Sequence, residues 1–158
     1  MSSSGNTASP DNVSSSPPQL IDTFGRVHNN LRISVTDRCN IRCFYCMPAD
    51  NVELMPKAEL LSFEEIERVV RIGTTLGIDR VRLTGGEPLV RSDLHKLIKQ
   101  LTVIPGIDGI ALTTNGILLA EQAEALHAAG LNRLNVSLDT LSEATFQRIS
   151  RRTGLQKV

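Results

Sequence analysis

Three thiols fall within one short run, CNIRCFYC, as Cys39, Cys43 and Cys46, and they are the only cysteines of the chain. The spacing C-x3-C-x2-C bends a single loop around one point, an arrangement in which thiolates take up iron or zinc. A structural zinc site is closed by four ligands, but there is no fourth sulfur and the nearest histidine, His28, precedes Cys39 on the far side of a strand-like run. An iron–sulfur cube held by three thiolates instead keeps one iron without a protein ligand, and that position is open to a substrate. Zinc, or no metal at all, is the competing reading.

A second candidate is GGEP, Gly85–Pro88. Gly85 and Gly86 have no side chains, so the main chain there can come close to a bound molecule, and Pro88 ends a strand without wasting a donor. A plain strand-to-helix turn would explain one of these glycines but not the pair followed by Glu-Pro.

The elements that must hold these groups are legible in the hydrophobic period. Short β-rich runs at Leu31–Thr36, Arg80–Thr84, Gly109–Thr113 and Arg133–Leu138 alternate with amphipathic stretches of helical period. The first helix opens with a capping box, Ser62 to Glu65, and offers Ile66, Val69, Val70 and Leu76 to a core. The second offers Leu94, Leu97, Ile98 and Leu101; the third, around Leu119–Ala129, ends at Gly130; the fourth opens with a second box, Thr140 to Glu143. This βα alternation predicts parallel strands joined by right-handed crossovers.

Strands covered on both faces read as continuous apolar runs, whereas these alternate. Leu31, Ile33 and Val35 point one way and Arg32, Ser34 and Thr36 the other; Arg82 and Thr84, then Asn135, Ser137 and Asp139, continue the polar side. With helical crossovers on the apolar face, the polar face is expected to line a lumen whose arginines need an anion, a phosphate or a carboxylate. The cysteines directly follow the first strand, at the carboxyl end where β/α barrels place their sites.

Composition agrees with an ordinary domain: 158 residues, 41% hydrophobic and 22% charged, with Lys+Arg and Asp+Glu both at 17. A balanced charge gives no field to collect nucleic acid or a membrane surface, so neither is an expected partner. Thiols free to bind metal belong in a reducing compartment, which points to a cytoplasmic location. The first twenty residues hold seven serines and three prolines and are expected to be a disordered tail carrying no readable targeting signal, with one domain over 21–158.

CNIRCFYC is similar to the signature of the radical S-adenosylmethionine (radical SAM) superfamily. The longer run LRISVTDRCNIRCFYCMP, with RLTGGEPLVRSDL, LTTNG and NVSLD, resembles the GTP 3′,8-cyclase family within it, from about Asp22 to the last residue. That family opens molybdenum-cofactor biosynthesis. The resemblance implies an α/β fold, a partial TIM-like β/α barrel of the radical SAM type with about four βα units. It also implies a [4Fe-4S] cluster and S-adenosyl-L-methionine as cofactors, GTP as substrate, an electron donor as partner, and a homodimer in full-length members. The reaction implied is a lyase-type cyclisation: a 5′-deoxyadenosyl radical takes hydrogen from ribose C3′ of GTP, and the carbon radical closes on guanine C8.

By the same resemblance Cys39, Cys43 and Cys46 match the cluster ligands, Tyr45, Gly86 and Ser137 match cofactor contacts, and Arg32, Arg82 and Thr113 match positions that hold GTP. Two of the GTP positions are the arginines that the strand pattern marks as needing an anion. His95 and His127 lie on helices at positions more often solvated than catalytic, and the basic run Ser150–Gly154 could touch phosphate or equally be a solvated turn. The chain departs from the family in having about four of the βα units and none of the cysteines of a second, carboxyl-terminal cluster, so half of the substrate site is expected to be missing. Another radical enzyme or a non-catalytic iron–sulfur fragment would share the thiols and GGEP.

Overall fold

The computed structural model describes residues 18–158 apart from Ala49. The expected tail lies outside the described residues as far as position 17. Its last residue, Leu20, is instead engaged: the Leu20 carbonyl accepts from the His28 N–H at 2.7 Å, next to a small bridge between Ile21 and Val27.

The α/β architecture is the expected one. Strands β1 (Asn30–Ser34), β2 (Arg80–Thr84), β3 (Gly109–Thr114) and β4 (Arg133–Val136) are each followed by a helix, α1 (Phe63–Thr74), α2 (Leu94–Thr102), α3 (Leu119–Ala128) and α4 (Glu143–Ser150). All neighbouring strands are parallel and their spatial order is β1-β2-β3-β4. Strict succession is the order of a barrel wall; a doubly wound sheet would reverse direction part-way. The register places Arg32 beside Arg82, Arg82 beside Ala111 and Ala111 beside Arg133, so one row of the polar face carries three arginines.

The core lies between the apolar sheet face and the helices. Leu94, Leu97, Ile98 and Leu101 of α2 are all fully buried, as their spacing predicts, against Val81, Leu83, Ile110 and Leu112. Each such leucine contributes about 2 kcal/mol relative to an exposed position. Helix α1 begins as expected: the Glu65 N–H donates to the Ser62 hydroxyl at 3.2 Å and the Ser62 N–H to the Glu65 carboxylate at 2.7 Å.

Two local expectations are corrected. Of the four apolar residues expected on the first helix, only Ile66 and Val70 are buried; Val69 is 46% exposed, and Leu76, which lies past the end of α1, is 39% exposed. The contact stripe is narrow: positions one turn apart, Ile66 and Val70, meet the core, with Phe63 packed against it. The second capping box does not form. Helix α4 starts at Glu143 with Ser142 before it, which puts Glu143 in the first helical position, too early to reach back. The Thr140 hydroxyl accepts from the Ser142 N–H at 3.1 Å, and the Glu143 carboxylate is taken by the Gly154 N–H at 3.3 Å.

Strand β4 is shorter than its sequence pattern, since its partner β3 ends at Thr114; the Ser137 N–H makes the last bond, to the Thr114 carbonyl at 2.8 Å. All four of its residues are exposed, so the polar face is an open trough rather than an enclosed lumen. Among the described residues no helix is long and apolar enough to cross a membrane.

Candidate cofactor site at the strand carboxyl ends

The strands end on a cavity of about 220 Å3. Cys39, Cys43, Cys46 and Tyr45 reach it from the loop after β1, Gly86 from the turn after β2, and Ser137 from beyond β4. Arg32 and Thr113 line it from the strands themselves. Arg82 does not reach it; with Arg80 and Arg133 it lines a second cavity, of about 230 Å3, along the sheet toward the strands' amino ends. Of the histidines set aside, His127 is exposed and His95 half-buried, each on a helix.

The cysteine loop is shaped by a helical turn, in which the Cys43 carbonyl accepts from the N–H groups of Cys46 at 2.9 Å and Met47 at 3.0 Å. Its outer edge is held by the most distant part of the chain: the Arg42 N–H donates to the Ser150 carbonyl at 2.8 Å and the Phe44 N–H to the Ile149 carbonyl at 3.0 Å. The end of α4, where carbonyls lack helical partners, thus receives the loop, which satisfies both. Ser150 is therefore part of the support for the site, a role that its sequence context does not show.

Gly85 and Gly86 have a reason to lack side chains beside the close approach to a bound molecule that the sequence suggests. Gly85 has φ +154°, and a Cβ on it would overlap the Thr36 carbonyl oxygen; a Cβ on Gly86 would lie 2.5 Å from the Arg38 carbonyl oxygen. The missing side chains make room for the backbone after β1, and the Gly86 N–H donates to the Thr36 carbonyl at 2.8 Å. The glycine pair locks the cysteine loop onto the neighbouring strand.

The acidic member of GGEP is the least exposed polar side chain on this wall. Glu87 is 1% exposed; one carboxylate oxygen accepts from the Thr114 hydroxyl at 2.7 Å and the Leu89 N–H at 3.0 Å, the other from the Asn115 N–H at 2.7 Å. A buried carboxylate with three donors is compensated, and it ties the end of β2 to the end of β3. Asn115, within LTTNG, was not singled out by sequence reasoning, although a polar pair ahead of a glycine at a strand end is a signal for such a turn.

Across the mouth, the Tyr45 hydroxyl donates to the Asp139 carboxylate at 2.7 Å, joining the loop after β1 to the loop after β4. That bond to a carboxylate holds the Tyr45 proton well above the usual phenol range. Burial pushes the Cys39 and Cys43 thiols up as well. Such thiols stay protonated until a cation displaces the proton. Among the described residues no three His, Cys, Asp or Glu side chains converge closely enough for one metal ion. Three thiols set around a cavity suit a body of several irons, each taking one sulfur.

Comparison with known proteins agrees with this geometry. The model of the radical SAM superfamily matches residues 33–158. The chain belongs to the radical SAM superfamily. Among relatives, it is 54% identical over 143 residues to the GTP 3′,8-cyclase of Rhodopirellula baltica, covering 90% of this chain and 40% of that protein. It is 50% identical over 139 residues to the mitochondrial GTP 3′,8-cyclase of Arabidopsis thaliana, covering 88% and 36%. It is also 50% identical over 139 residues to molybdenum cofactor biosynthesis protein 1 of Drosophila melanogaster, covering 88% and 25%. This radical SAM chain therefore spans well under half the length of these relatives. The solved structure of BtrN in complex with AdoMet and 2-DOIA shares its fold, with a TM-score of 0.56 over 78% of this chain and 51% of that one, at 18% identity.

Proposed function

We propose that this chain is the radical-generating portion of a GTP 3′,8-cyclase acting in molybdenum-cofactor biosynthesis. The observation that carries the reading is that Cys39, Cys43, Cys46, Gly86 and Ser137, residues far apart in sequence, share one cavity with Arg32 and Thr113, in a chain about half identical to cyclases along most of its length. When bound there, a [4Fe-4S] cluster and S-adenosyl-L-methionine, given one electron by a reducing partner, would supply a 5′-deoxyadenosyl radical that takes the C3′ hydrogen of GTP before ring closure on C8.

The chain's own residues would hold and orient the reactants. Cys39, Cys43 and Cys46 would hold the cluster as thiolates at the cavity they line. The Gly86 N–H is already used by the Thr36 carbonyl, so the Gly86 carbonyl is the atom that can accept from the ammonium group of the cofactor. Ser137 offers a hydroxyl from the opposite wall, and Tyr45 lies at the mouth, tied to Asp139. Arg32 and Thr113 would hold the nucleotide near the thiols. Arg82, in register beside Arg32 one strand away, would meet its phosphates farther along the trough. Free thiols of this kind belong to a reducing compartment, which we assign to the cytoplasm.

The test is one anaerobic reaction of the reconstituted chain with S-adenosylmethionine, GTP and a strong reductant, resolved by chromatography. Slow formation of 5′-deoxyadenosine without a cyclised nucleotide is the expected result for these 158 residues, which match 40% of the length of the Rhodopirellula baltica cyclase, because effective molarity falls steeply when a substrate is held by only some of its contacts. Absence of 5′-deoxyadenosine from a chain loaded with iron would overturn the assignment.

A further inference from the structure

Asn115 is bonded more completely than a turn at a strand end requires. Its N–H is held by the buried carboxylate of Glu87 at 2.7 Å, and its side-chain oxygen accepts from the Ile117 N–H at 3.1 Å. The next residue is fixed too: the Gly116 N–H donates to the Thr114 hydroxyl at 3.0 Å, and Gly116 sits at φ +86°. With main chain and oxygen both committed, the carboxamide can point its NH2 group in only one direction, across the cavity wall to the cysteine loop. There Nδ2 donates to the Asn40 side-chain oxygen at 2.7 Å and stands 4.0 Å from the Cys39 sulfur. The amide nitrogen, which carries two donors, thus faces both the first cysteine and its neighbour.

We propose that Asn115 is a positioning residue for Cys39 that also donates a hydrogen bond to its sulfur, and that it thereby raises the reduction potential of the metal group the thiols hold. The inference rests on the cluster reading above. At 4.0 Å the contact is long for a donor on sulfur, and a sulfur that ligates metal carries more negative charge and is a better acceptor than the free thiol. A donor on a ligating sulfur favours the more negative, reduced form, and outer groups of this kind set the potential of iron–sulfur sites. Glu87 fixes the direction of the donor without touching the thiols, and through it the GGEP turn and LTTNG act as one support.

The experiment compares the anaerobically reconstituted chain with Asn115→Leu, Asn115→Asp and Thr114→Val. Asn115→Asp keeps the oxygen that caps Ile117 while losing the donors, and Asn115→Leu removes the donors without adding charge. Thr114→Val removes the hydroxyl that bonds Glu87 and Gly116 while leaving the Asn115 carboxamide and its own contacts with Asn40 and Cys39. Far-ultraviolet circular dichroism, iron content and a redox titration followed by electron paramagnetic resonance are read for each. The midpoint potential should fall in Asn115→Leu and fall further in Asn115→Asp, with Thr114→Val near wild type although its melting temperature drops. Loss of iron from Asn115→Asp at unchanged circular dichroism would equally support the positioning role. A wild-type potential in Asn115→Leu at full iron content would overturn the proposal, as would an equal shift in Thr114→Val. A wild-type chain that took up no iron would overturn the cluster reading, and the proposal with it.

Discussion

On the side of the cavity built by β1, β2 and β3, the wall is closed by buried groups that satisfy one another: Thr36 with Gly86, and Glu87 with Thr114, Leu89 and Asn115. On the side built by β4 and α4, every strand residue is exposed, and Phe146 and Ser150 are the only buried residues of the helix. The first side is held by hydrogen bonds in a place that water does not reach, where each bond is costly to break. The second is held by one aromatic side chain and by two carbonyls that receive the cysteine loop. The loop itself is clamped between them, so the geometry of the three thiols depends on a rigid wall and on a loosely covered one at once.

The comparison can be broken most completely at the loop. Replacing any one of Cys39, Cys43 or Cys46 with serine should abolish uptake of the roughly four irons per chain that a cube requires, measured as iron and sulfide after anaerobic reconstitution. Survival of iron in all three single variants would remove the ligand assignment whatever holds the loop.

The rigid side comes next. Glu87→Ala leaves the Thr114 hydroxyl and the Leu89 and Asn115 N–H groups without their buried acceptor and should destabilise the fold by about 4 kcal/mol, read from urea unfolding. A loss below about 1 kcal/mol would mean that water reaches this wall and that the contrast with the other side is unfounded.

On the open side, Phe146→Ala removes the 7% exposed anchor of α4 and should cost about 3 kcal/mol. Hydrogen exchange locates the effect: the Arg42 and Phe44 N–H groups, which bond to the end of α4, should exchange faster, while Asn115 stays protected. Equal acceleration at Asn115 would show that the two sides unfold as one unit. The smallest effect belongs to Leu141, which is 87% exposed between β4 and α4. Leu141→Lys should change stability by less than about 0.5 kcal/mol while lowering aggregation measured by light scattering, since an exposed apolar edge is the part most prone to self-association.

Much of the fold was legible because it is written in local period. The alternation in β1, the stripe Leu94, Leu97, Ile98 and Leu101, and the box at Ser62 each concern residues within a turn or two of one another, where backbone geometry alone decides which side chains share a face. The same reasoning erred where a neighbour had to be known. Val69 has the right period for burial but stays on the surface, and Leu76 falls past the end of α1; Thr140 and Glu143 have the right spacing for a cap, but the helix starts later and Gly154 takes the carboxylate.

For the site, the sequence by itself determined the chemistry available: three thiols in one loop at a strand's carboxyl end, a glycine pair before an acid, and arginines on a polar strand face. Only the tertiary structure decided how these are used. It turned the two glycines toward the backbone of Thr36 and Arg38, buried Glu87 among donors from the next strand, set Arg82 apart from the cavity that holds Arg32, and brought Ile149 and Ser150 to the cysteine loop. Residue type fixes which bonds a group can make, whereas partner choice depends on which distant segments the parallel sheet and its crossovers place within about 3 Å of it, and no local period encodes that distance.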